Sequence, residues 1–529
     1  MFIRFLILVA VVVASAAQSV QAQQALKLPS CFSDHMVLQQ QQHAKIWGWA
    51  KAGSLVKIGF NGLAINSKAD EQGKWTALLP RFAASSKPSK LTVASGDEEI
   101  VIDDILIGEV WFASGQSNMA WNLKNTQDSD KEIATANMPA FRMFLAEPTP
   151  AMEPQTDIKG SWKVCTPENA PAFSATAYYF AKKIHQETGV PVGVIKSVIG
   201  GKRCECYCSR EAMMSNANGK KMMAQLDAQA KAFDPEAAKQ KYEKALKAWE
   251  AKTADLRKAN RELPQEKRKR LPRRPQKQTH PMMNAGNPTV LYNGMINPFV
   301  GYNMRGAIWY QGESNARAEL APIYQEMFTL MIQDWRTRWN ADFPFYFVQL
   351  ANFRKATTEP GVDNEWPTVQ NQQRLTLQLP YTGMATINDI GEESDIHPKN
   401  KKDVGERLAR WALKNEYGKN VVVSGPLYDA VTFDNEKAIV EFKHLGGGLK
   451  SRDGEPLKRF EIAGEDKQWF WADAKIVNNQ VVVSSKEVSK PVAVRYAWAA
   501  NPTGANLVNS EGLPASIFRT DDWKASFEK

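Results

Sequence analysis

Cysteine is scarce in this chain, with five residues among 529. So few cannot form a disulfide framework, and the odd count leaves at least one thiol unpaired within the monomer. Cys204, Cys206 and Cys208 alternate along the chain, whereas zinc sites more often separate their cysteines by two residues, so no metal site is expected. Histidine is nearly as rare, with six residues, so each candidate imidazole can be weighed in turn. Long apolar runs are missing after the extreme N-terminus, which excludes a membrane span in the remainder. The first residues have a charged start at Arg4, an apolar run from Phe5 to Ala14 and the small-x-small sequence Val20-Gln21-Ala22. Together they predict a signal peptide over residues 1–22, and the apolar run is too short to anchor the chain in a bilayer. No cysteine follows the expected cut, so a lipoprotein is not indicated. The expectation is a soluble protein exported to the periplasm or beyond.

Negative charge is deficient in one segment only. Between Arg210 and Lys277 there are 19 basic and 9 acidic residues, which accounts for the whole formal charge of +10. The rest of the chain is near neutral. An exported protein with one local basic cluster is not expected to bind nucleic acid. Within this segment Asp234-Pro235-Glu236 is a helix start, with a capping acid followed by proline at the first helical position. Tyr242, Leu246, Trp249 and Leu256 then recur at helical spacing, which predicts an inserted helix with one apolar stripe and a charged, solvated face. The tail from Lys267 to Pro275 reads as an exposed loop.

The hydropathy pattern divides the remainder in three. Residues 23–104 carry short β-rich runs separated by turns such as Asn61-Gly62, as in a β-sandwich. From Ile105 to Gly418 the texture is α/β. Strand candidates run from Ile107 to Ala113, Val192 to Ile199, Gly306 to Gln311, Phe345 to Leu350 and Met384 to Asn388. Helices are expected from Ser174 to His185, Leu320 to Trp339 and Asp403 to Asn415, and the basic insertion occupies about 209–281. Alternating strands and helices imply a parallel sheet covered on both faces, with ligands bound beyond the carboxyl ends of its strands. Residues 419–529 return to β patterning, as in Ala438-Ile439-Val440-Glu441-Phe442 and Gln480-Val481-Val482-Val483.

The sharpest feature is Trp111-Phe112-Ala113-Ser114-Gly115-Gln116-Ser117-Asn118-Met119. It passes from an apolar strand through glycine into a polar, helix-like segment, so Ser117 stands on a strand-to-helix turn where a nucleophile is well placed. Met119 occupies the place of the second glycine of a G-x-S-x-G elbow. Taken alone, a serine there more commonly caps a helix. The histidines favour the chemical reading. His35 and His43 lie in the N-terminal β-region, His185 on a helix, His280 beside the basic loop and His444 among the C-terminal strands. Only His397 lies just past a strand of the predicted sheet, with Asp395 two residues before it to hold the ring. Two more loops end neighbouring strands. Gly200-Gly201 bares a backbone amide, while Gln311 and Asn315, in Trp309-Tyr310-Gln311-Gly312-Glu313-Ser314-Asn315, carry side-chain amides suited to an oxyanion.

Three blocks, Gly115 to Met119, Trp309 to Asn315 and Asp395 to Lys401, together resemble the signature blocks of the sialate O-acetylesterases, a family of the SGNH hydrolase superfamily. The stretches Ser30 to Gln39, Phe173 to Phe180, Leu291 to Ile296 and Glu511 to Ser516 match its texture as well. The resemblance implies a flavodoxin-like catalytic domain flanked by two β-domains, with Ser117, His397 and Asp395 as a triad. It further implies two-step hydrolysis of O-acetyl sugars without metal or cofactor, the oxyanion being held by the amides of Ser117 and Gly201 with Gln311 or Asn315. The wider superfamily more often places its acid three residues before the histidine, where this chain has Ser394. After the Gly-Gly pair, family members run through threonine toward an acid and tryptophan; here Lys202-Arg203-Cys204-Glu205 follows, which leaves the sugar open. An esterase for acetyl xylan or another polysaccharide is the nearest alternative. A non-catalytic carbohydrate-binding protein is the alternative from another class, and the intact Ser, His and Asp weigh against it.

Overall fold

The computed structural model describes residues 25–264 and 268–528, so the signal peptide expected over 1–22 lies outside the described residues. Strand β1 (Glu98–Gly115, 18 residues) carries two patterns in succession. Its first half alternates and pairs antiparallel with Ser85–Ser95, a strand of the N-terminal β-region. From Ile105 onward it is continuously buried, as a strand covered on both faces must be. The two halves meet at Asp104, which has φ 55° and accepts a hydrogen bond from the guanidinium of Arg142 at 2.8 Å. The strand therefore runs unbroken through residues 104 and 105, where the sequence pattern changes.

The central sheet adds β2 (Met138–Ala146), β3 (Gly160–Cys165), β4 (Val192–Lys196), β5 (Gly306–Tyr310), β6 (Phe345–Val348) and β7 (Thr382–Ala385). Their order is β7-β6-β5-β1-β4-β2-β3. All neighbours are parallel except β3, which returns antiparallel on β2. The five strands legible in the sequence thus stand second-first-third-fourth-fifth, and the β2–β3 hairpin extends the sheet beyond β4. The chain leaves β1 toward one edge and later returns to fill the other, so crevices open at the carboxyl end of β1.

Helices α1 (Ser117–Ala120), α2 (Ala175–Thr188), α3 (Tyr324–Trp339), α4 (Glu365–Leu375) and α5 (Lys401–Asn415) follow the strands. Alternation along β1 sends Trp111 and Ala113 to one face, into a core with Ile308, Tyr310, Phe180 and Leu408, beneath α2 and α5. Phe112 points the other way, into a core with Trp309, Phe345, Phe328 and Trp335, beneath α3 and α4. Gly405 lets α2 and α5 touch, since a Cβ there would stand 2.6 Å from the carbonyl of Thr176. Caps fix the helix starts: Ser174 Oγ accepts from the Ala177 amide and Asn400 from that of Asp403.

The basic insertion contains helices Ala217–Lys231 and Pro235–Glu262, the latter capped by Asp234 through the amides of Glu236 and Ala237. Its tail folds back along the helix: Trp249 Nε1 donates to Pro272 O and Asn260 Nδ2 to Lys269 O. After Gly418, one four-stranded sheet contains Leu427–Asp434 and Lys437–Lys443, and a second contains Phe460–Ala463 and Ala493–Tyr496; they share a core around Phe460, Tyr496 and Phe518. No helix among the described residues is long and apolar enough to cross a membrane.

Candidate active site

Gly115 ends β1 with φ +135°, packed so tightly on β5 that a Cβ would come within 2.2 Å of Tyr310 O. Gln116 then caps α1 in an extended conformation, its amide donating to Tyr310 O at 2.9 Å. Ser117 is thereby the first residue of α1 rather than its cap, and its own amide has no intrahelical acceptor. The hydroxyl faces the loop after β7, where His397 Nε2 lies 2.9 Å from Ser117 Oγ. Trp121 stacks on the imidazole, with ring centroids 4.9 Å apart and planes inclined by 16°.

Asp395 also arrives at this place. One carboxylate oxygen lies 3.3 Å from His397 Nδ1 and accepts the backbone amide of His397 at 2.9 Å. The better-formed bond is the one to the backbone, so the carboxylate fixes the loop as well as the ring.

The Gly-Gly loop after β4 closes the other side. A Cβ on Gly200 would stand 3.3 Å from that of Ser117, and Gly201 adopts φ +67°. Ser114 Oγ donates to Ser197 O and Tyr207 Oη to Gly115 O, each at 2.6 Å, which ties this loop to β1. Lys202 and Arg203 are half-buried, and one Arg203 nitrogen donates to Gly286 O.

Gln311 and Asn315 are positioned differently from the sequence-based expectation. Gln311 Nε2 donates to Lys202 O and to Asn315 Oδ1, while Asn315 Nδ2 donates to both oxygens of the Glu205 carboxylate. The two Glu205 oxygens share one Asn315 amide hydrogen and Cys204 Sγ, at 3.8 Å, faces the other, so all four amide hydrogens are directed at internal acceptors in a region where both residues are buried. They form a floor that holds residues 202–205, and neither has a donor left for an oxyanion. Residue type is legible in a sequence, but engagement elsewhere is not.

Cys204, Cys206 and Cys208 pack into the same floor as buried free thiols, and burial pushes that of Cys206 up to about 12. Among the described residues, no group of three His, Cys, Asp or Glu side chains is arranged to hold a metal ion.

Sequence reasoning missed a second layer of charged residues. Asn118 Nδ2 donates to Glu313 Oε1 at 2.5 Å, and Asn118 Oδ1 accepts from Lys401 Nζ at 2.7 Å. Burial draws the Lys401 ammonium down to about 7, against the pull of Glu313, Asp395 and Glu392, and raises the Glu313 carboxyl. The signal was available only as position: Glu313 lies in the block Trp309 to Asn315 and Lys401 closes the block that holds His397.

Comparison with known proteins identifies the family. The family described as carbohydrate esterase, sialic acid-specific acetylesterase matches residues 282–414, which include β5, β7 and His397. Sialate O-acetylesterase of Rattus norvegicus is 25% identical over 523 residues, covering 90% of each chain. That of Homo sapiens is 22% identical over 517 residues, covering 90% of this chain and 88% of its own. The crystal structure of a carbohydrate acetylesterase from Xanthomonas citri is 35% identical, covers 94% of this chain and 100% of its own, and superposes with a TM-score of 0.79. Shared identity of that order along nearly the full length decides the matter: the chain belongs to the sialate O-acetylesterase family and is an esterase that removes O-acetyl groups from carbohydrates.

Proposed function

We propose that Ser117 is the nucleophile of this esterase, His397 its general base and acid, and Asp395 the group that orients the histidine. The observation that carries the reading is the 2.9 Å separation of Ser117 Oγ and His397 Nε2, within reach of direct proton transfer. His397 removes the hydroxyl proton as Ser117 Oγ bonds to the acetyl carbonyl carbon. The carbonyl oxygen becomes an oxyanion beside the amides of Ser117 and Gly201, each such donor contributing about 2.7–4 kcal/mol. Collapse breaks the bond to the sugar oxygen, which takes the proton from His397 and leaves acetyl-Ser117. Water, activated by the same histidine, then attacks the acyl group, and acetate departs with the serine restored. Strand order and the placement of the serine after the first strand support a flavodoxin-like SGNH hydrolase domain over 105–418, between β-domains over 23–104 and 419–529.

The substrate class that fits best is O-acetylated sialic acid on an exported enzyme, periplasmic or extracellular, supported by the full-length likeness to the mammalian sialate O-acetylesterases. The half-buried Lys202 and Arg203 stand on the loop that flanks Ser117, where a sugar carboxylate finds positive charge. A second reading is an acetylesterase of another carbohydrate, because the Xanthomonas relative of higher identity is described only as a carbohydrate acetylesterase, and xylan represents that class in the test. Acetate release from O-acetylated sialic acid, acetylated xylan and a chromogenic acetyl ester tests both, with Ser117→Ala as control. Turnover of the sialic acid is expected, and none by Ser117→Ala. Turnover of xylan alone keeps the chemistry and moves the substrate, while activity in folded Ser117→Ala refutes the nucleophile.

A further inference from the structure

His397 is held from both sides by side chains that the reaction itself does not use. The carbonyl before it, Ile396 O, accepts from Asn118 Nδ2 at 3.0 Å. The carbonyl after it, Pro398 O, accepts from Lys401 Nζ. Asn118 and Lys401 are bonded to each other, and Asn118 is covalently next to Ser117. The remaining hydrogen of the Asn118 amide reaches Glu313, on the loop after β5, whose neighbour Ser314 donates its amide to Gln116 Oε1. Three segments distant in sequence, the serine turn, the Glu313 loop and the histidine loop, are joined through one buried asparagine.

Burial makes this arrangement costly unless it serves a purpose. Lys401 has no measurable exposure, and Asn118 is 2% exposed. Lys401 Nζ reaches no carboxylate directly; its nearest compensation is two carbonyl oxygens and the faces of Trp121 and Tyr310, at 5.7 and 5.6 Å from the ring centroids. Glu313 Oε2 has no hydrogen-bond partner at all. An uncompensated buried charge costs several kcal/mol, and a leucine or methionine of similar volume would serve packing better. Polarity explains the choice: the asparagine turns its oxygen to the cation and its nitrogen to the anion, so the amide has one orientation only. Trp121, beneath which the ammonium lies, is the ring stacked on His397.

We propose that Lys401, Asn118 and Glu313 are positioning residues that clamp His397 against Ser117 by gripping the carbonyls on either side of the histidine. The proposal rests on the assignment of Ser117 and His397 as the reacting pair. Because the clamp touches no part of the sugar, its loss falls on kcat and leaves KM nearly unchanged. Because its members act through one asparagine, their losses do not add.

The experiment compares wild type, Lys401→Met, Glu313→Gln, the double variant and Ser117→Ala. Each is assayed for kcat and KM on 4-nitrophenyl acetate, for the rate of covalent labelling by a fluorophosphonate, and for thermal unfolding. Lys401→Met and Glu313→Gln are each expected to lower kcat and labelling at least about tenfold, with KM within about twofold, because a shift of about 1 Å at the histidine suffices for losses up to about a hundredfold. The double variant is expected to be no worse than the poorer single one. Wild-type kcat and labelling in a folded Lys401→Met or Glu313→Gln overturn the clamp, as does a loss expressed in KM alone. Should Lys401→Met fail to fold, the near-isosteric Glu313→Gln decides. Labelling that is absent in wild type, or undiminished in Ser117→Ala, refutes the underlying serine assignment instead, so the two failures are distinguishable.

Discussion

Replacing Gly115 by alanine tests whether the strand-to-helix turn is set by backbone contact. The added Cβ would stand 2.2 Å from Tyr310 O and 2.8 Å from Tyr310 C, both main-chain atoms of β5 that no rotamer change can move. Real contacts of this kind do not fall below 3.0 Å, so β1 and β5 must part by about 1 Å at the Gly115–Tyr310 pair. The backbone at φ +135° adds strain of about 1–3 kcal/mol, and the overpacking a similar amount, giving a total of about 2–6 kcal/mol. The displacement enters α1 at once, because Gln116 N–H is bonded to the same Tyr310 carbonyl. Ser117 then moves relative to His397, and about a hundredfold loss of kcat is expected beyond any loss of folded protein. Gly189→Ala is the matched control, since that helix-terminal glycine has φ +73° but nothing within 4 Å of the added carbon. It is expected to cost about 1 kcal/mol and to leave kcat unaltered. The assay pairs urea unfolding with initial rates on a chromogenic acetyl ester. A folded Gly115→Ala enzyme with kcat within about threefold of wild type would refute the reasoning, because a 1 Å shift at the site should cost far more.

Two other perturbations follow from buried charge. Glu109 is fully buried and accepts both nitrogens of a bidentate Arg305 at 2.8 and 3.0 Å, together with Gln39 and the Tyr417 hydroxyl. Glu109→Ala strands that guanidinium, and a loss of about 3–5 kcal/mol in urea unfolding is expected, whereas a loss below about 1 kcal/mol would contradict it. Lys401 is drawn down to about 7 in the folded protein, while in the unfolded chain it titrates near the ordinary value of about 10.4. Between those values the unfolded chain holds more protons, so the stability of wild type relative to Lys401→Met should rise from pH 7 to pH 10 and be level below pH 7. The carboxylates of Glu313, Asp395 and Glu392 oppose the effect of burial and hold the proton on Lys401 to higher pH than burial alone would allow. Urea unfolding of both proteins across that range measures the difference, and parallel curves would refute it.

What could be read from the sequence was what lies at strand ends. Ser117, His397 and Asp395 each follow an apolar run, and the five runs read as strands recur in the sheet as 98–115, 192–196, 306–310, 345–348 and 382–385. The β2–β3 hairpin was not legible, because Pro139 and Arg142 interrupt its pattern; Arg142 is buried only because Asp104 receives it. The charged clamp was illegible for a related reason. A lysine at the start of an amphipathic helix ordinarily faces water, and only tertiary contact reveals that Lys401 turns inward. Gln311 and Asn315 show the converse, with the right chemistry in the right loop but hydrogens committed before any substrate arrives.

The continuity of β1 bears on how such a protein is inherited. A β-domain joined by a linker can be exchanged as a cassette, gained or lost at little cost to its neighbour. Here the strand that ends at the reactive serine begins as an edge partner of Ser85–Ser95, and Val37–Gln39 lies parallel to Leu106–Gly108 at the crossing. A cut at residue 104 would therefore sever one ladder and expose another. A breakpoint there preserves neither ladder, so the N-terminal region and the sheet that carries the serine are expected to be inherited as one unit.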